Sequence, residues 1–346
     1  MPADPVYRVA LVGYGLAGEW FHAPLIDATT GLELAFVVSS SAERANRARD
    51  RYPGVEVLAE VEALWRRAEE HDLVVVAAPN RAHVAVALAA LEAGLPVVVD
   101  KPLAATAGDG RRLQEAAEAR SLMLAVFHNR RWDGDMLTLR RLIGEGALGE
   151  VLRFESRFER WRPAVRTGTW RELEAPEEAG GVLFDLGPHL IDQALALFGP
   201  VESVYTEVDR RRPGARVTDD AFVALTHRSG VRSHLWASQA AARPGPRMRV
   251  LGSAAAYVKF GLDVQEAALR AGRTPDDPGW GREPPEAWGT LGVEDEVRPV
   301  ETEPGDWPAF YRGVRAALRD GSPPPVAAAD GVAVLEVIER GLAGSA

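Results

Sequence analysis

Cysteine is absent from all 346 residues, which excludes disulfide bonds, thiolate catalysis and cysteine-ligated zinc. Lysine is nearly absent: Lys101 and Lys259 are the only two among 40 Lys and Arg residues. Where a guanidinium serves, this chain uses arginine, so a lysine suggests either chance or a need for a compact ammonium with a movable pKa. No HExxH pattern occurs, and no metal site is expected. No apolar run reaches membrane-spanning length, and Met1 to Pro5 enters the strand-like Tyr7 to Val12 without a basic segment or signal core. A cytoplasmic protein without a membrane partner is expected. The formal charge of −10 comes from interspersed acids and bases with no basic stripe, so nucleic acid is not an expected partner.

What is present falls into two textures, and 346 residues can bury two modest cores. From Tyr7 to Phe127, short runs that are almost continuously apolar alternate with helical segments. The runs are Tyr7 to Val12, Leu32 to Val38, Val55 to Leu58, Asp72 to Ala78, Leu95 to Val99 and Leu122 to Phe127. The segments include Ser41 to Tyr52, Ala82 to Ala93 and Thr106 to Arg120. Strands apolar on both faces predict a doubly wound parallel sheet with helices on each side, an α/β dinucleotide-binding domain over 1–127. Beyond residue 150 the strands alternate polar and apolar positions (Val151 to Phe158, Val201 to Val208, Asp220 to His227, Val231 to Ser238). They predict an α+β domain over 128–346 with a mostly antiparallel sheet. The segments Gly134 to Glu145 and Pro188 to Phe198 supply helices for one face, and a second subunit is expected on the other, in a homodimer or homotetramer. Gly261 to Trp307, rich in Pro, Gly and acidic residues, reads as a long irregular excursion of the kind that borders sites.

Gly13-Tyr14-Gly15-Leu16-Ala17-Gly18 follows the first strand and opens a helical segment. In that context Gly13 allows a tight turn, Gly15 lets the main chain approach a pyrophosphate, and Gly18 permits close helix packing. An NAD site usually carries Asp or Glu at the end of the second strand. Here the place reads Ser39-Ser40-Ser41 followed by Arg44, hydroxyls and a guanidinium suited to a 2′-phosphate, so NADP is expected and NAD remains possible. The alternative is a helix cap at Ser40 or Ser41 with Arg44 solvated. Ala78-Pro79-Asn80 and Asp100-Lys101-Pro102 close the fourth and fifth strands at the carboxyl edge, where open α/β sheets bind ligands.

Asp185-Leu186-Gly187-Pro188-His189 reads as a helix start with Pro188 in the first turn. Oxidation of an alcohol needs a base for the hydroxyl proton, and an imidazole near a positive helix N-terminus is disfavoured as a cation. His189 is the candidate base, Asp185 the group that orients it or the substrate, and Lys101 the stabiliser of a developing alkoxide. The other reading makes Asp185 a helix cap and His189 a packed residue. His22 and His128 face a pocket or serve structure. Arg157, Arg162 and Arg166 contact substrate or decorate a strand edge.

Taken in order, GYGLAG at 13 to 18, PN at 79 to 80 with His83, DKP at 100 to 102 and GGVLFDLGPHLID at 180 to 192 resemble the Gfo/Idh/MocA family of oxidoreductases. The resemblance implies a Rossmann domain followed by a mostly antiparallel sheet domain, with Lys101, Asp185 and His189 as catalytic and substrate-binding residues. It adds His83, Asn129 and Trp170 to the cofactor contacts and Arg130 to the substrate contacts. The family usually has Glu where this chain has Asp100, one methylene shorter. HAPLI at 22 to 26, VFHNRRWDGD at 126 to 135 and RFERWRPAVR at 157 to 166 look like the NADP-preferring branch that includes scyllo-inositol dehydrogenases. The expected activity is hydride transfer between NADP(H) and a hydroxyl-bearing carbon of a polyol or sugar. A non-catalytic NADP-binding sensor would not need Lys101, Asp185 and His189 together. A hydrolase that retains its nicotinamide would release sugar without net reduction.

Overall fold

The computed structural model describes residues 4–165, 172 and 174–344. The chain forms two compact units. One comprises Met1–Asn129, Gln265–Trp280 and Trp307–Val332, and the other Arg130–Val264, Gly281–Asp306 and Ala333–Ala346. Division at residue 127 describes only the first crossing, because the chain later returns twice to the first unit.

Six strands build the first unit: β1 (Tyr7–Val12), β2 (Leu32–Val38), β3 (Glu56–Leu58), β4 (Leu73–Val76), β5 (Val97–Asp100) and β6 (Leu124–Phe127). All pair in parallel in the order β3-β2-β1-β4-β5-β6, the doubly wound arrangement. Val74, Val75 and Val76 and then Val97, Val98 and Val99 are wholly buried, which is why these runs show no alternation. Helices Ala42–Arg51, Asn80–Glu92 and Ala107–Glu118 connect the strands, and Thr106 caps the last by accepting the Asp109 amide. The edge strand β6 is covered by a late segment: Ala125 bridges Ala327, and the Val126 amide donates to the Val326 carbonyl at 3.1 Å. Helix Pro308–Asp320 packs beside it, with Trp307, Phe310 and Tyr311 fully buried against Phe21, His22 and Phe127.

The second unit is an eight-stranded sheet. Its strands are β7 (Val151–Glu159), β8 (Val201–Asp209), β9 (Asp220–His227), β10 (Arg232–Ser238), β11 (Met248–Gly252), β12 (Ala256–Lys259), β13 (Gly289–Val293) and β14 (Glu296–Val300). The order is β14-β13-β12-β11-β7-β10-β9-β8, antiparallel throughout except for the parallel pair β7 and β10. Inner residues Phe154, Phe158, Val223, Leu225, Leu235 and Val250 meet Met136, Leu139 and Leu142 of helix Gly134–Gly144 and Leu190, Ile191 and Ala194 of helix Gly187–Phe198 in one core.

The segment Gly261–Trp307 is not an irregular excursion: it contains helix Gln265–Arg270 and strands β13 and β14. Gly261, Gly272 and Gly279 have positive φ and open space around them, as loop glycines do, whereas Gly289 and Gly292 serve close packing. A Cβ on Gly289 would stand 2.6 Å from the Tyr257 ring, and one on Gly292 would stand 2.1 Å from the Glu296 carbonyl oxygen. No described helix is long and apolar enough to cross a membrane.

Phe154 is wholly buried in the second core, whereas Val293 is 56% exposed. Phe154→Ala is expected to cost about 3–5 kcal/mol and Val293→Ala less than about 0.5 kcal/mol, read as the shift in urea denaturation midpoint.

Candidate active site

The glycine turn leads from β1 into the helix that runs through Gly18–His22 and Ala23–Asp27. Two of its glycines are dictated by the protein itself. Gly13 has φ +100°, and a Cβ there would lie 2.6 Å from the Ala77 carbonyl oxygen; one on Gly18 would lie 2.0 Å from the Gly13 carbonyl oxygen. Gly15 differs, since a Cβ would meet only an Arg44 guanidinium nitrogen at 3.8 Å. Among the described residues nothing else lies within 4 Å of that point, so the turn leaves open space at Gly15 of the kind a pyrophosphate lying against the main chain needs. The residues present therefore fit a dinucleotide. Tyr14 turns inward, its phenol pushed up to about 12 by burial and the nearby Glu19 carboxylate, while Leu16 is exposed beside Ala17.

Beyond β2, the Ser39 amide is used by the Leu58 carbonyl, and Ser41 caps helix Ala42–Arg51, its Oγ accepting the Arg44 amide at 3.4 Å. The cap is thus Ser41, and it leaves Ser40 and the Arg44 side chain exposed. At the end of β4, Ala78 and Pro79 lead into the buried Asn80, which opens the next helix. His83 is 1% exposed, with Nδ1 2.9 Å from the Pro102 carbonyl oxygen and Nε2 3.0 Å from that of Ala78. The ring ties the ends of β4 and β5 together, and both its nitrogens face main-chain oxygens rather than a ligand.

Asp100 ends β5, and its Oδ1 accepts the Lys101 amide at 2.9 Å. Burial pushes the Asp100 carboxyl up, but His22, Lys101 and His83 outweigh it and hold the group below the usual carboxylate range. His22 is wholly buried, tilted against Phe127 at 4.1 Å. Asn129, 5% exposed, follows β6, and His128 beside it is buried. The cofactor candidates thus gather at the carboxyl ends of neighbouring strands β2, β1, β4, β5 and β6. Trp170, Arg166 and Arg171 lie outside the described residues.

In the second unit Asp185 closes the short helix Val182–Asp185, and His189 is the third residue of helix Gly187–Phe198, with Pro188 in its first turn. Asp185 is not a cap of the latter helix, whose N-cap position is Leu186. Both candidates are 7% exposed. The His189 ring stands edge-on to Phe158 at 6.1 Å, and the guanidinium groups of Arg130 and Arg247 lie over Phe158 at 4.9 and 4.1 Å. Arg247 is 3% exposed; it donates to Ser156 Oγ and, at 2.8 Å, to Gln193 Oε1, and Gln193 Nε2 donates to the Arg130 carbonyl at 2.8 Å. Asp133 lies 3.3 Å from Arg130, and Asp135 lies 3.4 Å from Arg247. Burial drives the Asp133 carboxyl well above the usual range, with Arg130 opposing and Asp263 reinforcing. A buried frame of two arginines on one phenyl ring therefore backs His189. Sequence reasoning found Arg130 but missed Phe158, Gln193 and Arg247. Phe158 sits at an inward β7 position, and nothing around Arg247 in the sequence marks it. Arg157 stacks on Trp236 at 3.9 Å and pairs with Glu155, on the sheet face away from the helices, and Arg162 donates its amide to the Gln239 carbonyl.

Residues 7–128 match the model of an oxidoreductase family with an NAD-binding Rossmann fold, and residues 136–258 match that of the GFO/IDH/MocA C-terminal domain. The chain is 44% identical to the uncharacterized oxidoreductase YdgJ of Escherichia coli, over 97% of this chain and 95% of that protein. It is 35% identical to scyllo-inositol 2-dehydrogenase (NADP(+)) IolW of Bacillus subtilis, over 98% and 93%. The solved structure of yvaA from Bacillus subtilis superposes with a TM-score of 0.93 at 34% identity, covering 100% of this chain and 97% of that one. With matching models over both sheet-bearing regions and close relatives along nearly its full length, the chain belongs to the Gfo/Idh/MocA family of NAD(P)-binding oxidoreductases.

Proposed function

We propose that this oxidoreductase uses NADP(H) to interconvert a secondary hydroxyl and a carbonyl on a polyol or sugar, an inositol-like ring being the leading substrate class. The observation that carries the cofactor reading is Arg44. Its guanidinium lies 3.8 Å from the space a Gly15 methyl would fill, in the first turn of helix Ala42–Arg51, which follows an exposed Ser40 and a run of three serines where a carboxylate would repel a 2′-phosphate. Similarity to an NADP-dependent scyllo-inositol 2-dehydrogenase supports the substrate class.

A bound nicotinamide supplies the ring carbon that takes or gives a hydride. The chain's own groups handle the proton. His189, at the start of a helix and held against Phe158, accepts the hydroxyl proton during oxidation and returns it during reduction. Asp185 orients the substrate or the imidazole, and Lys101 offers an ammonium to the oxygen as it gains negative charge. Arg130 contributes to substrate binding, with its guanidinium orientation set by Phe158 and Asp133. Gly13 to Gly18 hold the pyrophosphate, Ser39, Ser40, Ser41 and Arg44 the 2′-phosphate end, and Ala78, Pro79, Asn80, Asp100, Asn129 and Trp170 border the rest of the dinucleotide. The assembly is a homodimer or homotetramer through the second sheet's helix-free face, where Phe222 and Trp236 pack at 5.0 Å and Tyr205 is 56% exposed.

Kinetics with inositols, aldoses and their oxidised forms, followed at the nicotinamide absorbance, test the proposal; a strong preference for NAD over NADP refutes the cofactor assignment. Arg44→Ala is expected to weaken NADPH binding by about 10- to 100-fold while sparing NADH, the loss of a charge-assisted contact. Gly15→Ala is expected to keep the melting temperature and lose dinucleotide affinity, whereas Gly18→Ala is expected to lower the melting temperature; equal effects on stability refute the distinction. Lys101→Ala and His189→Ala are each expected to cut hydride transfer by about 10²- to 10⁴-fold with NADPH binding retained by fluorescence titration.

A further inference from the structure

The helix that follows the glycine turn carries a carboxylate in its first turn. Glu19 comes directly after Gly18, and its amide donates to the Gly15 carbonyl at 2.8 Å, so it stands one helical turn from the open space at Gly15. An anion there works against the partial positive charge on which a pyrophosphate depends. A second element supplies the counter-charge. Arg47, in helix Ala42–Arg51, holds Glu19 by two parallel bonds, Nε to Oε1 at 2.9 Å and Nη2 to Oε2 at 3.0 Å, while its Nη1 donates to Glu43 Oε1 at 2.5 Å. Glu19 is 9% exposed, and among the described residues Arg47 is the one cation paired with it. Arg51, one turn further along the helix, instead lies over the Trp20 ring at 5.4 Å. Arg44, one turn before Arg47, has no ion pair among the described residues, and its Nη1 lies 3.8 Å from the Gly15 methyl position. Gly15, Glu19, Arg47 and Arg44 thus close a ring in which each member is a contact or a helical turn from the next.

We propose that Arg47 and Glu19 are a positioning pair for the dinucleotide phosphates: Arg47 cancels the Glu19 charge beside the turn and ties the two helices together, which leaves Arg44 as the cation that meets the ligand. Charge fixes the sign of each substitution. Removing Arg47 leaves a buried carboxylate uncompensated near the phosphates and weakens binding, whereas removing the Glu19 charge leaves an extra cation and tightens it. A pair that only braced two helices would lose affinity in both cases. The proposal rests on the reading of Gly13 to Gly18 as the pyrophosphate turn, and it is independent of which substrate is oxidised.

Fluorescence titrations of wild-type and variant protein with NADH and with NADPH, at about 0.02 M and about 0.5 M salt, test the pair, the higher concentration screening the charges. At low salt Arg47→Met is expected to weaken both complexes by about three- to tenfold, NADPH more than NADH because it carries the additional phosphate. Glu19→Gln, which keeps an amide oxygen for Arg47, is expected to tighten both by about two- to fivefold, and the double variant to return to within about twofold of wild type. These differences are expected to shrink at high salt. Melting curves of the dinucleotide-free proteins check folding; should Arg47→Met fail to fold, Glu19→Gln decides alone, because a bracing role predicts no gain. Unchanged or weaker binding in folded Glu19→Gln overturns the proposal, as does wild-type affinity in Arg47→Met or a loss that salt leaves untouched. A wild-type protein that binds neither dinucleotide overturns the reading of the turn and the pair with it. One that binds NADH more tightly than NADPH refutes only the 2′-phosphate assignment, and the NADH titration still decides the pair.

Discussion

The rest of the first unit depends on one close approach of main chain to main chain. Gly18 can pack its helix onto the turn only because no Cβ intervenes before the Gly13 carbonyl, and Gly13 in turn lies against Ala77 at the end of β4. This contact brings the helix N-terminus to the carboxyl edge of β1 and β4, where a partial positive charge is available to phosphate. A methyl at either position would push the helix outward and take the phosphate site with it. Gly15 needs no such accommodation among the described residues, which sets it apart from the two glycines that the fold itself requires.

The second unit solves a different problem, that of holding polar chemistry inside an apolar core. Arg247, Asp135, Asp133 and Arg130 are all nearly devoid of solvent contact, and isolated charges at such depth would be costly. They are tolerated because Asp133 lies 3.3 Å from Arg130 and Asp135 3.4 Å from Arg247, both guanidinium groups lie over the Phe158 ring, and Gln193 links Arg247 to the Arg130 main chain. The frame thereby fixes the surroundings of His189 from behind. Removing one member would strand its partner, so its components act as a unit.

Charge economy runs through both units. Arginine, planar and permanently charged, supplies the structural ion pairs, including the bidentate contact of Arg131 with Asp192. The two lysines stand apart from this use. Lys259 is 1% exposed and lies 3.1 Å from Glu283, whereas Lys101 adjoins Asp100 at the sheet edge expected to meet the cofactor. Rarity alone therefore did not separate a buried structural lysine from the one at the candidate site.

The parallel core and the glycine turn were legible in the sequence because each rests on neighbours close in the chain, an uninterrupted apolar run and a hexapeptide, while the helix cap was read only as an alternative at Ser40 or Ser41, and the structure places it at Ser41. Asp100-Lys101 and Asp185 to His189 were singled out by motif order rather than by any visible partner, and the structure supplies their places at the end of β5 and at the start of helix Gly187–Phe198. The late return of the chain to β6, strands β13 and β14 and the pairing of Tyr311 with His22 were not. Gly289 and Gly292 look like turn residues until Tyr257 and Glu296 are seen to occupy the space of their missing side chains. Arg247 and Tyr311 carry no local mark. Local sequence determined which segments were strands and which turn could hold a phosphate, because those depend on steric and solvation preferences of adjacent residues. Only the tertiary structure decided which distant side chains share a buried hydrogen bond or charge, because that depends on burial created by the whole fold.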